Sequence, residues 1–216
     1  MVEVAAVTAA REEILGRVRS ALAGAPAEVE VPRAYRRSSD DPDAVVVERF
    51  SARVSEYRAT VRRVERGSVA AAAGELCRAR GLLRLVAPAD LPAEWRPEGV
   101  EVVSDDGFSP AELDEIGAVL TGCALGIAET GTFVLDGGTA QGRRAITLVP
   151  DYHLCVIEAR QIVAGVPEAF EQLAPTIRDE RRPVTLVSGP SATSDIELTR
   201  VEGVHGPRTL DVLVVG

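Results

Sequence analysis

Short, continuous apolar runs are the feature that most limits what this chain can fold into. A strand that is apolar at every position has both faces buried, which is typical of a parallel sheet covered by helices. The runs predicted as strands are 82–88, 100–104, 123–129, 132–136, 146–150, 153–159, 183–189 and 210–215. We therefore predict an α/β fold, with a mostly parallel sheet and helices on both faces. Such sheets bind ligands at the carboxyl ends of their strands.

The helical segments indicate how the chain is organised. Helices are predicted over 8–23, 45–66, 68–80, 109–120 and 166–178, with Ser109 as the cap of the fourth. In 45–66, apolar residues recur in steps of three and four, which predicts a stripe that docks on the parent domain or on a partner subunit. Residues 24–43 are rich in proline, serine and charge. We predict an N-terminal helix and flexible arm over 1–45, followed by one α/β domain over 46–216.

The composition argues against several functions. The net charge of −9 at pH 7 is unfavourable for a nucleic-acid partner. No apolar run approaches the roughly 20 residues of a membrane span. The N-terminus lacks a signal-peptide pattern, so we expect a cytoplasmic protein. All 24 basic residues are arginines, so this chain has no lysine for a Schiff base or for a phosphate-binding P-loop.

The three cysteines, Cys77, Cys123 and Cys155, are far apart in the sequence. Iron–sulfur clusters and structural zinc use closely spaced thiolates, which these residues do not provide. We therefore predict no metal site and no cofactor in this chain. Cys123 and Cys155 lie in apolar runs, which favours small buried hydrophobic residues over a catalytic thiolate.

The segment 188–197 combines a glycine–proline turn with hydroxyl and carboxylate side chains. Ser194 and Glu197 match a capping box, which predicts a helix that begins near Ser194. The residues before it are not needed for that cap, and free amides and hydroxyls after a glycine turn also form an anion site. The residues predicted to bind a small anion here are Ser188, Gly189, Ser191, Thr193 and Asp195.

A second polar group interrupts the apolar runs at 129–132. Glu129 lies at a strand edge, as a candidate nucleophile, base or ligand clamp. The alternative is a hairpin turn in which these polar side chains have only a structural role. Farther along, a glycine-rich loop precedes two arginines that are able to hold a carboxylate or phosphate bidentately. The ligand-binding residues predicted from this region are Thr130, Gly131, Thr132, Arg143 and Arg144.

The chain has two histidines, His153 and His205. His153 begins an apolar run, where a lone histidine is more often structural than catalytic. His205 lies between turn-forming residues, and a structural and a catalytic role are equally compatible with that position. Glu129 and His205 are the predicted catalytic residues.

The motifs between 121 and 215 resemble the LUD-domain family. Four blocks occur in the family's order: AETGT at 128–132, GR…P..H at 142–153, GPSATSDIE at 189–197 and GVHGP at 203–207. The resemblance implies a fold similar to the ribose-phosphate isomerase and CoA-transferase superfamily. The isomerases use a lysine that this chain lacks, so their chemistry does not transfer. Asp151 and Tyr152 also replace a proline or aliphatic residue that the family usually has before the first motif histidine.

The resemblance also implies a role in oxidising L-lactate to pyruvate beside two iron–sulfur partner proteins. The clusters are then expected in the partners, and a small carboxylate or phosphorylated ligand is expected between the loops at 129–132 and 188–193. Two alternatives stay open. One is a non-catalytic scaffold that docks cluster-bearing partners; the other is a CoA-transferase-like enzyme with Glu129 as nucleophile. The sequence does not decide whether this chain is itself an enzyme.

Overall fold

The fold is taken from a computed structural model, which describes residues 2–24, 31–193, 201–202 and 205–216. The chain divides into two compact units, Met1–Tyr35 and Arg36–Gly216. The described helices are α1 Val2–Ala21, α2 Asp43–Glu56, α3 Val69–Ala79, α4 Pro110–Ile116 and α5 Val166–Arg178. Across these described residues, none of the helices combines the length and the apolar character that crossing a membrane requires.

The second unit is built on two sheets. The described strands are β1 Thr60–Val64, β2 Arg84–Ala87, β3 Glu101–Ser104, β4 Ala118–Thr121, β5 Leu125–Ile127, β6 Thr132–Leu135, β7 Tyr152–Glu158, β8 Ile162–Val163, β9 Thr185–Val187, β10 Ala192–Thr193, β11 Val201–Glu202 and β12 Thr209–Val215. The large sheet has the order β1-β12-β7-β4-β2-β3. All of its neighbouring strands are parallel, which confirms the predicted α/β fold.

A small sheet with the order β8-β5-β6-β9 covers part of one face of the large sheet. Phe50 from α2 and Phe133 from β6 pack there against Ile157 of β7, and all three are fully buried. On the opposite face, Ala73 and Cys77 of α3 pack in a second cluster. Each face of the central strands is therefore shielded from water, as their continuous apolar sequences require.

The predicted helix over 45–66 is wrong in its second half. Helix α2 ends at Glu56, and Thr60–Val64 forms β1, which pairs with β12. Arg58 has a positive φ of 68°, which breaks the helix between the two elements. The apolar spacing continues into β1 by coincidence, and pairing with the edge of the sheet overrides the local pattern.

Two further boundaries differ from the prediction. The helix predicted over 109–120 begins as expected, with Ser109 and Glu112 in a capping box, but Gly117 ends it in a left-handed conformation and β4 follows. The run 146–150 is not a strand, because Arg144–Thr147 forms a 3₁₀ turn. Ile146 is apolar because it covers the large sheet beside Val119.

An ion pair with a fully buried carboxylate lies on the face of the large sheet that α3 covers. Asp211 of β12 has no exposed surface. Arg80 donates to both of its carboxylate oxygens, at 2.6 and 3.0 Å, and the Tyr152 hydroxyl donates to Oδ2 at 2.9 Å. The Arg80 guanidinium also lies 5.0 Å from the centre of the Tyr152 ring. The carboxylate is thus compensated on several sides, as a buried charge must be.

We expect Arg80→Met to lower the free energy of unfolding by about 3–5 kcal/mol, because Asp211 then keeps a buried charge without its partner. Arg62→Met is the matched control. Its partner Glu75 is about half exposed, and such surface pairs contribute about 1 kcal/mol or less. Urea unfolding measures the free energy of unfolding of both variants. If Arg80→Met and Arg62→Met lose the same amount of unfolding free energy, this role of Arg80 is contradicted.

Candidate functional site

A cavity of about 230 Å³ lies between the two sheets, and we call it the amino-edge cavity. It is bounded by the first residues of two parallel strands, since His153 is the second residue of β7 and Leu210 the second of β12. The described residues that line it are Arg144, Thr147, His153, Thr185, Leu186, Val187, Ser188, Gly189, Pro190, Ser191, His205, Gly206, Pro207 and Leu210. No Asp or Glu occurs among them, although the chain is acidic overall.

The cavity brings together two of the sequence motifs. Ser188 follows β9, and the amide of Ser191 donates to the Pro207 carbonyl at 2.8 Å. The amide of His205 in turn donates to Ser191 Oγ at 3.0 Å. The GPS and HGP segments are therefore joined by hydrogen bonds, and Ser191 keeps its own hydroxyl proton for another acceptor.

Arg144 supplies positive charge to the cavity. Its Nη1 donates to Thr147 Oγ1 at 2.8 Å, and that hydroxyl donates back to the Arg144 carbonyl at 3.1 Å. Among the described residues, no carboxylate lies within salt-bridge distance of this guanidinium. Partial burial lowers its pKa from the usual value. A partly desolvated cation held by a neutral hydroxyl is suited to an anionic ligand.

His153 lies deep in the cavity wall and is only 2% exposed. Its Nε2 is 2.8 Å from Thr121 Oγ1, and the Phe133 ring contacts it edge-on. Burial lowers the pKa of His153 to about 3, and the nearby charge of Arg144 adds to the shift. The ring is therefore neutral near pH 7.

A chain of hydroxyl groups links the ETGT motif to the cavity. Thr130 Oγ1 donates to Thr132 Oγ1 at 2.8 Å, and Thr132 Oγ1 lies 2.6 Å from Ser188 Oγ. Thr132 Oγ1 also donates to the Thr130 carbonyl at 3.5 Å, so either hydroxyl is able to donate in the contact between Thr132 and Ser188. Thr132 thus acts on the cavity through Ser188 and does not line it.

The glycines of both motifs are explained by packing against the end of α2. Gly131 has φ +59°, and an added Cβ would lie 2.6 Å from the Arg53 backbone. Gly189 has φ +88°, and its Cβ would lie 2.4 Å from Tyr57 Cβ. These positions need glycine because the backbone approaches α2 so closely. Gly189 also contributes to the cavity wall.

Five predicted site residues are not among the described residues that line the cavity: Glu129, Thr130, Gly131, Thr132 and Arg143. Glu129 accepts from Arg36 at 3.0 Å, and its side chain is about half exposed. Arg143 binds both oxygens of Asp105, at 2.6 and 2.8 Å, and donates to the Phe108 carbonyl. Neither residue lines the amino-edge cavity, so their predicted ligand roles stay predictions without support from this geometry.

The end of the predicted anion segment is only partly described. Thr193 belongs to β10, which pairs with β11. Ser194, Asp195 and Glu197 lie outside the described residues, and so does most of the predicted capped helix. The roles assigned to them stay predictions.

Sequence reasoning missed Thr121 and Thr147 and treated His153 as structural. The clue for His153 was its place in the GR…P..H block, since that block also contains Arg144. Thr121 has no comparable signal, because only the pairing of β4 with β7 brings it to the histidine.

A larger crevice, of about 810 Å³, lies at the carboxyl ends of β4 and β7, where the sequence argument expected a ligand. Its carboxylates already have partners. Arg66 and Arg160 bind Glu158, while Gln141 and Arg182 bind Asp136. The carboxylates of Glu158 and Asp136 are therefore already paired, whereas Arg144 in the amino-edge cavity has no described carboxylate partner.

Comparison with known proteins places the chain in a family. The LUD domain model matches residues 109–215. Lactate utilization protein C of Deinococcus radiodurans is 44% identical over 218 residues, and the match covers all of both chains. The chain belongs to the LUD domain family.

Other LUD domain relatives match in part. Lactate utilization protein C of Shouchella clausii is 33% identical over 114 residues, which is 52% of this chain and 48% of that protein. A crystal structure of a DUF162 family protein from Deinococcus radiodurans has a TM-score of 0.70 and 42% identity. That match covers 82% of this chain and 99% of the solved one, which supports the fold described above.

We expect the free energy of unfolding to depend on pH in a way that shows His153 to be neutral in the folded protein. An unfolded histidine has a pKa near 6.5, whereas the folded value is lowered to about 3. Between these values the unfolded chain binds more protons than the folded one, so the free energy of unfolding falls as the pH falls from about 6.5 towards 3. In His153→Gln this decline should be shallower.

The comparison uses urea unfolding of both proteins between pH 7 and pH 4. Carboxylates that titrate in the same range are present in both proteins, so their contribution cancels in the difference. Identical slopes would show that His153 is not held neutral by burial.

Proposed function

We propose that this chain acts in lactate utilization, as a component of a system that oxidises L-lactate to pyruvate with iron–sulfur partner proteins. The amino-edge cavity holds a small carboxylate or phosphorylated anion in that role. The assignment to this pathway rests on the similarity of the whole chain to a protein named lactate utilization protein C. The binding role rests on the position of Arg144.

Arg144 is the observation that carries the binding proposal. It provides a charge that no described carboxylate neutralises, in a cavity whose described lining residues include no Asp or Glu. Ser191 accepts a hydrogen bond from the His205 amide and keeps its own proton to donate, and the Ser188 hydroxyl also lines the cavity. One cation and two hydroxyl groups match the charge and the acceptors of a carboxylate or phosphate.

The size of the cavity favours a small ligand. At about 230 Å³ it is smaller than the roughly 300–1,000 Å³ of pockets that hold drug-sized molecules. Val187, Pro190 and Leu210 supply an apolar part of the wall. A three-carbon acid suits both properties, because its carboxylate meets Arg144 and its methyl group meets the apolar residues.

The positions of the cysteines support a division of labour with partner proteins. Cys77 lies on one face of the large sheet, and Cys123 and Cys155 lie on the other. All three are buried. The thiols of Cys123 and Cys155 are hydrogen-bonded to each other, but Cys77 lies apart from them, so the three do not form a set of cluster ligands. We therefore place the clusters that receive the electrons in the partners.

A scaffold role is the second candidate, and α1 provides the observation for it. Ile14 and Val18 of α1 and Leu22 directly after it recur at four-residue spacing and are 62%, 48% and 61% exposed. A row of exposed apolar side chains on one side of a helix is typical of a docking surface. In this role the chain would assemble the partners without binding the acid itself.

We expect Arg144→Gln to remove the response to anions. L-lactate, pyruvate and phosphate should each raise the Tm of the natural chain with concentration, because a ligand of the folded state stabilises it by mass action. Arg143→Gln is the matched control, since its side chain binds Asp105 outside the cavity. It should lower the starting Tm but keep the anion response.

The same two variants test the role in the cell. Lactate-dependent growth of a host that lacks the natural gene should fail with Arg144→Gln and be restored by Arg143→Gln at equal protein level. Full growth with both variants, and no anion response in the natural chain, would reject the binding role and favour the scaffold.

A further inference from the structure

The thiols of Cys123 and Cys155 meet in the apolar cluster between the two sheets. Each sulfur lies 4.0 Å from the same acceptor, the carbonyl oxygen of Val156, and the two thiols are hydrogen-bonded to each other. Cys155 lies in β7, whereas Cys123 lies in the short link between β4 and β5. Because Cys123 is outside both strands, a small shift of this link brings the sulfurs to the roughly 2 Å of a disulfide bond.

Cys123 is the cysteine that a solute is able to reach. It is 5% exposed and lines the crevice of about 810 Å³ at the carboxyl ends of β4 and β7. Cys155 and Cys77 have no exposed surface. Burial raises the pKa of the Cys155 thiol, and it raises the pKa of Cys77 to about 11. Since the thiolate is the reactive form of cysteine, these two residues are poorly suited to react first with an oxidant.

Cys155 is also connected to the wall of the amino-edge cavity. Thr121 and Cys155 are register partners of β4 and β7, and the Thr121 hydroxyl is hydrogen-bonded to the Cys155 thiol. Thr121 Oγ1 also lies 2.8 Å from His153 Nε2. We call Cys123, Cys155, Thr121 and His153 the buried row. It runs from the crevice to the amino-edge cavity, in the space where the small sheet covers the large one.

We infer that Cys123 is a redox modification site, where hydrogen peroxide produces a reversible disulfide bond with Cys155 that alters the contact between Thr121 and His153. The Cys123 sulfur attacks one peroxide oxygen, the O–O bond breaks, and a sulfenic acid and one water form. The Cys155 sulfur then attacks the Cys123 sulfur, and the S–O bond breaks. The hydroxide leaves as a second water with the Cys155 proton. The two thiols supply the two electrons that reduce the peroxide.

The disulfide changes the buried row at Thr121. It removes the Cys155 thiol proton and draws the sulfur towards Cys123, so Thr121 loses a hydrogen-bond partner next to His153. The oxidation state of the crevice is thereby transmitted to the amino-edge cavity. The inference goes beyond the proposed function and does not depend on it, because no step needs a bound anion.

Thiol titration of the whole chain tests the disulfide. The natural chain is treated with hydrogen peroxide while folded, then denatured and titrated for free thiols. We expect two of its three thiols to be lost within one chain and to be recovered with dithiothreitol. Proteolysis should give a linked pair of peptides that contain Cys123 and Cys155. Three free thiols, oxidation of Cys123 without this link, or a link to Cys77 would overturn the inference.

Three serine variants separate the roles of the cysteines. Cys77→Ser is the matched control, and it should form the same disulfide as the natural chain. Cys155→Ser should stop at a sulfenic acid on Cys123, which dimedone labels. Cys123→Ser should keep its thiols free, and oxidation of Cys155 in this variant would contradict entry through the crevice. The peptide map of the natural chain decides the question if a variant does not fold.

Histidine spectra test the connection to the amino-edge cavity. In long-range proton–nitrogen spectra of the natural chain, the Nε2 resonance of His153 should shift on oxidation and return on reduction. His205 is an internal reference, because it is exposed in a loop, and its resonances should move much less. A His153 resonance that is the same in fully oxidised and fully reduced protein would refute the inferred effect of the disulfide.

Discussion

The packing of the small sheet over one face of the large sheet is the constraint on which the site depends. Phe133 of β6 is fully buried and meets the His153 ring edge-on, with 5.7 Å between the ring centres. Pairing of Phe133 with Val187 fixes β9 beside β6, and Ser188 then follows beside Thr132. One sheet contact therefore excludes water from the histidine and also positions the hydroxyl groups around it.

Much of the fold was predictable because strands that are buried on both faces appear in the sequence as short apolar runs. Strands with both faces covered, such as β7 and β12, are mostly apolar apart from a few buried polar residues, and this pattern predicted the parallel sheet. The errors occurred where two structures share one pattern. Val61 and Val64 continue the helical spacing of α2, yet Thr60–Val64 is a strand because the edge of β12 pairs with it. The apolar run at 146–150 covers the sheet as a turn, which local periodicity cannot distinguish from a strand.

The site was predictable in its motifs but not in its geometry. Arg144, Ser188, Gly189 and Ser191 were expected to bind an anion and His205 to be catalytic, and the structure places all five around one cavity. Arg143 and Arg144 are equivalent in sequence, and only the position of Asp105 separates them. The roles of Thr121 and His153 come from pairing between strands that are about thirty residues apart, so no local motif contains them. In physical terms, the sequence specifies the chemical groups, while strand register determines which of them meet.

A crystal structure of the chain with pyruvate tests the central claim most directly. The account predicts that the acid lies in the amino-edge cavity, with its carboxylate hydrogen-bonded to Arg144. Ser188 or Ser191 should donate to the carboxylate. An empty amino-edge cavity, with pyruvate ordered instead in the crevice beside Glu158 and Gln141, would contradict it.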